Sequence, residues 1–241
     1  MKTTKTILLL MIFSIMFIFH VQAQNPGFEW AVQMGGDSAI MANSIATDAD
    51  GNQIITGSFN GTADFDPGDG VFNLTSSGKD DIFIQKLSPA GTLVWAARMG
   101  DVHSDAGRDV ITDAFGNIYV TGYFSGTIDA DPGTGYFELS QTKHTAFVLK
   151  IEPDGDLIWA KQMGFPGDWG LAYGYAITID NSLNVITTGT FYGRVDFDPS
   201  PGTFNLSATS GSGDAYIQKL DASGNFIWAK QLIGPEYKVG Y

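Results

Sequence analysis

Between Ile118 and Phe124 apolar and polar side chains alternate, with Ile118, Val120 and Phe124 on one face and Tyr119, Thr121 and Tyr123 on the other. A period of two predicts a β-strand. Short Ile-, Val- and Thr-rich runs near Ser44 to Asp48, Asp109 to Asp113 and Ala176 to Asp180 predict a strand just before it. Each ends in a polar stretch such as Asp48-Ala49-Asp50-Gly51-Asn52 or Asp113-Ala114-Phe115-Gly116-Asn117, which is hairpin-turn chemistry. Apolar runs holding Phe83, Phe147 and Tyr216 predict a third strand. A turn such as Pro153-Asp154-Gly155 then leads into a fourth strand that carries a tryptophan. Beyond the first 23 residues nothing sustains a helical period, so the fold class is all-β.

These predicted strands belong to a repeat. Trp30-Ala31-Val32-Gln33-Met34-Gly35 returns at Trp95 to Gly100, at Trp159 to Gly164 and, with one inserted residue, at Trp228 to Gly234. Thr56-Gly57-Ser58-Phe59 matches Thr121-Gly122-Tyr123-Phe124 and Thr188-Gly189-Thr190-Phe191. Asp64-Phe65-Asp66-Pro67-Gly68 matches Asp129-Ala130-Asp131-Pro132-Gly133 and Asp196-Phe197-Asp198-Pro199, and Asp81 to Leu87 matches Thr145 to Ile151 and Asp214 to Leu220. The order is the same each time and the period is about 66 residues, with approximate units 37–100, 101–164 and 165–234.

Four-stranded antiparallel units in tandem, with both faces partly apolar, bury those faces by stacking around an axis. That predicts a β-propeller. The glycine inside the second strand (Gly57, Gly122, Gly189) implies a close backbone neighbour there. Together the Gly-Asn before an apolar strand, Thr-Gly-x-Phe, Asp-Phe-Asp-Pro-Gly and Trp-Ala-Lys-Gln-Met-Gly resemble the SBBP family of β-propeller repeats found in exported bacterial proteins, over residues 28–234. The resemblance implies a non-catalytic binding or structural module at the cell exterior. About three units fit residues 24–241, preceded by an outer strand around Trp30, whereas propellers have about 4 to 8 blades. The expectation is therefore a partial propeller with an incomplete ring. Its remaining blades would come from further C-terminal sequence or from other copies.

The N-terminus changes the compartment. Lys2 and Lys5 precede an apolar run from Ile7 to Phe19, and Val21-Gln22-Ala23 offers a small-x-small cleavage site, so residues 1–23 are expected to be a signal peptide. The run is shorter than the ~20 residues of a membrane-spanning helix, and the processed chain is expected to be secreted or at the cell surface. With no cysteine, thiolate metal sites, disulfides and cysteine nucleophiles are excluded. The 13 Lys+Arg against 26 Asp+Glu give a net charge of −13, which makes nucleic acid a poor partner. An unknown extracellular protein or carbohydrate fits better.

The Asp-x-Asp-Pro-Gly segments are the sharpest chemical feature. Asp64 and Asp66 (with Asp69), Asp129 and Asp131, and Asp196 and Asp198 are the candidate ligands should calcium bind, but the oxygens fall short of the six to eight that calcium takes. The favoured reading is a turn, with Gly68 and Gly133 at positive φ and Ser200 departing in the third unit. Asp48-x-Asp50-Gly51-Asn52 resembles the start of an EF-hand loop but lacks its later acid, which leaves a hairpin turn. Trp30, Trp95, Trp159 and Trp228 are expected to pack between units. Lys161 and Lys230 are expected to lay their stems on apolar surface, and His103 and His144 to be solvated loop residues. Phe59-Asn60, Tyr123-Phe124 and Phe191-Tyr192 are read as core, with a carbohydrate surface as the alternative. Identical acid pairs in equivalent surroundings cannot divide acid and base roles, so no catalytic residue is assigned. The alternatives are the front part of an extracellular carbohydrate-active or other hydrolytic enzyme with its catalytic residues beyond Tyr241, and a calcium-dependent adhesin.

Overall fold

The computed structural model describes residues 29–36, 39–164, 169–209, 211 and 213–233; the expected signal peptide and Gly234 to Tyr241 lie outside them. After β1 (Gly35–Gly36), the first sheet takes β2 (Ile40–Thr47) and β3 (Gln53–Phe59). The chain leaves for a short hairpin, β4 (Thr62–Asp64) and β5 (Asn73–Thr75), and returns as β6 (Asp81–Leu87) and β7 (Leu93–Met99). The second sheet comprises β8 (Ala106–Thr112), β9 (Ile118–Asp129), β10 (Glu138–Ile151) and β11 (Leu157–Gln162). The third comprises β12 (Leu171–Ile179) and β13 (Val185–Tyr192), a hairpin of β14 (Arg194–Asp196) and β15 (Asn205–Ser207), then β16 (Asp214–Leu220) and β17 (Phe226–Leu232). Each sheet is antiparallel with its strands in chain order, β2-β3-β6-β7, β8-β9-β10-β11 and β12-β13-β16-β17. The first strands β2, β8 and β12 touch in series, so three four-stranded sheets stand side by side from a shared inner edge. This is a propeller-like arrangement; the described residues do not close a ring.

The middle sheet shows why strands with two apolar faces need neighbours on both sides. Along β10, Phe147, Leu149 and Ile151 join a core with Ile54, Ile82 and Ile84 of the first sheet. The alternate residues Ala146 and Val148 join Ile177, Val185, Phe191 and Tyr216 of the third. Each such apolar side chain contributes about 1.5–3 kcal/mol on burial. Polar contacts fix the spacing. Asp109 on β8 accepts from the Ser44 hydroxyl of the first sheet at 2.7 Å and from the Ile177 N–H of the third at 2.9 Å. Two tryptophans staple one sheet to the next, the indole N–H of Trp95 donating to Pro153 O at 3.1 Å and that of Trp159 to Ala222 O at 3.2 Å, and Trp30, ahead of the first sheet, donates in the same way to Pro89 O at 3.0 Å.

The strand glycine has the close neighbour that the sequence implied, and a bulge brings it there. Ala42 pairs with Gly57 but Ser44 pairs with Thr56, leaving Asn43 as an extra residue. Arg108 and Tyr175 are the extra residues in the other two sheets. The bulge swings the inner strand over the glycine, so that a Cβ at Gly57, Gly122 or Gly189 would overlap the carbonyl oxygen of Met41, Ala106 or Tyr173. On the other side Phe83, Phe147 and Tyr216 sit directly across the ladder and cover the missing side chain.

Several expectations change. The inner strands begin earlier than predicted, because their bulged first halves carry little alternation. Trp30 lies in irregular chain, and β1 pairs with β4 of the hairpin instead of completing an outer blade strand. The hairpin excursions between the second and third strands of each unit were not anticipated, since three-residue strands leave no readable period. In the second sheet the excursion is continuous with β9 and β10, Glu138 pairing with Asp129.

Candidate functional site

The Asp-x-Asp-Pro-Gly segments form the tips of these hairpins, and their carboxylates are occupied by the loops themselves. Asp64 Oδ1 accepts from the N–H groups of Asp66 at 3.0 Å and Phe72 at 2.8 Å. Asp129 does the same with Asp131 at 3.1 Å and Phe137 at 2.9 Å, and Asp196 with Asp198 at 3.0 Å and Phe204 at 2.7 Å. The second acid closes a smaller turn, Asp66 accepting from Gly68 N at 2.8 Å and Asp131 from Gly133 N at 2.9 Å. Among the described residues no group of three or more His, Asp or Glu is placed to hold a metal ion. One detail needs correcting. Gly68 and Gly133 are not among the positive-φ residues, because the Asp side chain, not an inverted backbone, closes the turn. Ser200 therefore fits the same place, its N–H and hydroxyl both donating to Asp198 Oδ1, at 2.9 and 2.6 Å. At the Asp48 turn the acid accepts from the N–H groups of Asp50 and Asn52, with Gly51 at φ +80°.

A second cluster breaks the repeat. Arg108, the bulge residue of β8, lays its guanidinium over the Tyr123 ring at 5.2 Å, with Nη2 3.4 Å from the phenol oxygen. Tyr123 meets the Tyr173 ring edge-on at 5.0 Å and His144 at 5.2 Å, and His144 stacks on Tyr173 at 5.5 Å. Tyr173 also stacks on the bulge residue Tyr175 at 6.4 Å. His144 is therefore not a solvated loop residue: it lies half-buried on β10 with its Nδ1 enclosed and unpartnered. Burial, then the charges of His103 and Lys79, lower its pKa, so it is neutral at pH 7. Beside it Lys143 reaches the ring of Trp169 at 5.6 Å, and Trp169 is 85% exposed. In strand register the pair Tyr123 and Tyr173 corresponds to Ser58 and Ala106 between the first two sheets. These aromatics sit at one junction only.

At that earlier junction lies an acidic group. Asp105 is fully buried, accepts from the N–H groups of Ser125 at 2.9 Å and Asp101 at 3.1 Å, and donates its own N–H to Asp80 O at 2.7 Å. Burial pushes its carboxyl up to about 6. Asp81 is also raised by burial, although Arg98 pairs with it at 2.7 Å. His103 is exposed, as expected, and pairs with Asp101 at 2.9 Å.

The other predicted positions divide cleanly. Phe59, Phe124 and Phe191 are core, while their neighbours Tyr123 and Tyr192 are half-buried and join the aromatic cluster. Lys161 lies with Trp159 over the Gly224 turn. Sequence reasoning missed Arg108, Tyr173, Tyr175 and Trp169. The signal was there: Trp169 is the one tryptophan of five outside the repeat register. Two shallow hollows, of about 340 Å³ beside Phe137, Lys161 and Pro199 and about 290 Å³ beside Met34, Asn43 and Ile45, do not reach the aromatic cluster.

No family model matches the chain. It is similar to an uncharacterised WD repeat-containing protein of Acanthamoeba polyphaga mimivirus, 32% identical over 158 residues, which cover 61% of this chain and 11% of that protein. The chain thus spans about a tenth of that relative's length. A solved protein of unknown function from Bacteroides caccae aligns with 79% of this chain and 81% of its own at 11% identity, with a TM-score of 0.27, too low to carry an argument. The WD-repeat similarity and the repeated four-stranded sheets together support a β-propeller-type repeat.

Proposed function

We propose that the chain is an exported propeller module of the SBBP type that binds a partner at the cell exterior and performs no chemistry of its own. One observation carries the binding role. The feature copied in all three units, the acidic hairpin tip, spends its oxygens on its own backbone, whereas the arginine and aromatic rings gathered between the second and third sheets occur once and serve no repeated structural need. A repeat that holds its frame constant and varies one inner surface suits recognition. The net charge of −13 and the basic-apolar-small pattern of residues 1–23 support an exported chain that avoids nucleic acid. The test is fractionation with N-terminal sequencing of the expressed gene product. The expected result is a chain starting at Gln24 in the medium or on the cell surface. An unprocessed chain confined to the cytoplasm would overturn the reading.

A further inference from the structure

Resting on that reading, we infer that Arg108, with the rings of Tyr123, His144 and Tyr173, forms a site for the carboxylate of an acidic sugar, with Trp169 at its rim. The argument begins with an unpaired charge. Acids outnumber bases two to one in this chain, and Lys86, Arg98 and Lys219 each hold a carboxylate. Arg108 holds none. Its polar contact is the long one to the Tyr123 hydroxyl, and its Nε is enclosed without an acceptor. The side chain as a whole is half-exposed, so its outer nitrogens, and not the enclosed Nε, can meet an acceptor supplied from outside.

The chemistry of that acceptor follows from the groups around it. Nη1 and Nη2 form the outer edge of the guanidinium fork, and that edge matches the two oxygens of a carboxylate. The adjacent rings are half-exposed, and Trp169 at the rim is 85% exposed. Rings with polar tips suit a pyranose, whose C–H face packs on an aromatic while its hydroxyls meet polar groups. The position is also one a protein can specialise. β-Bulges re-aim a side chain without disturbing the ladder beyond it, and the equivalent bulges carry Asn43, which donates to Gly107 O at 2.7 Å, and Tyr175. One bulge fastens neighbouring sheets, the next presents a cation, and the third adds a ring to the cluster.

The test is titration of the purified full chain with trigalacturonate and with neutral galactotriose at pH 7, followed by tryptophan fluorescence and calorimetry. Trigalacturonate is expected to bind at least tenfold more tightly than galactotriose. Arg108→Gln is expected to remove that advantage, and Trp169→Ala, at an exposed side chain, to weaken trigalacturonate by a few fold with an unchanged melting curve. The melting curve of Arg108→Gln itself guards against a folding defect, and Lys230→Gln, which removes an exposed positive charge outside the cluster, should retain the acid preference. Equal binding of the two sugars, an acid preference that survives Arg108→Gln, or tighter binding of hexaglutamate than of trigalacturonate would each overturn the inference. So would failure of every probe to bind, an outcome that leaves the export result standing.

Discussion

The hairpin tips that begin at Asp64, Asp129 and Asp196 and the bulges that hold Asn43, Arg108 and Tyr175 are built on the same three sheets, yet the units agree at the first place and differ at the second. At the tips each leading carboxylate closes its loop by the same pair of backbone hydrogen bonds. At the bulges the backbone register is shared and the side chains are not. Internal repetition thus separates two kinds of constraint. A residue copied three times solves a problem that every sheet has; one that appears once answers something local to its junction. The rule ranks substitutions by how far the backbone depends on them.

Gly122→Ala should have the largest effect. A Cβ there would overlap the Ala106 carbonyl oxygen and press on the Phe147 ring at 3.0 Å, and neither the bulge nor the core can yield easily. The expected loss is about 3 kcal/mol or more, read as a large fall in the denaturation midpoint. A midpoint unchanged by this substitution would break the link between the shared glycine and the bulge.

Asp105→Asn probes an unrepeated position. Its equivalents by strand register are Ile40 and Ala172, so the buried carboxyl belongs to one junction. With its folded pKa raised from 3.8 to about 6, the native state holds the proton more tightly than the unfolded chain. That contribution to stability is complete below pH ~4 and is lost as the pH rises through 6, to a total of about 3 kcal/mol. The asparagine variant should lack this slope between pH 4 and 7 and match or exceed the parent in stability at pH 8. A parent that gains stability with pH across that window would contradict the assigned environment.

These two positions also show what the sequence makes legible. Gly122 stands out because a glycine within a strand demands a close neighbour, and its threefold copying makes the demand architectural. The four-stranded unit is legible for a related reason: strands buried on both faces, such as Ala146 to Ile151, keep an apolar residue at nearly every position. Asp105, Arg108, His144 and Tyr173 are opaque in the sequence because their meaning comes from the neighbouring sheet. No local spacing tells that Tyr173 of one unit will meet Tyr123 and His144 of the one before. The hairpins β4–β5 and β14–β15 were missed for want of length. The roles of the tryptophans were legible in their register but not in their hydrogen bonds, which reach turns about 60 residues away.

Asp129→Ala tests whether the shared acid serves the loop or an ion. Losing the acceptor for the N–H groups of Asp131 and Phe137 at a partly exposed tip should cost about 1–2 kcal/mol. The cost should be the same in millimolar calcium as in chelator. A melting temperature that rises with calcium in the parent and not in the variant would move the acidic tips from frame to metal site.

Gly68→Ser should have the smallest effect, and it separates two glycines that look alike in sequence. Gly68 follows Pro67 and Gly51 follows Asp50, both in turns, but only Gly51 has positive φ, at +80°. Serine at residue 68 would meet Asp66 Oδ1, 3.1 Å from the new Cβ, and the third unit shows how this is accommodated: Ser200 donates its hydroxyl to Asp198 across 2.6 Å. Stability should stay within about 0.5 kcal/mol of the parent. Gly51→Ser should cost about 1 kcal/mol, because a Cβ is disfavoured in the left-handed region; the third unit tolerates Leu183 at φ 59° in the corresponding turn. If both substitutions cost the same in chemical denaturation, the tip is closed by its backbone and not by the Asp66 carboxylate.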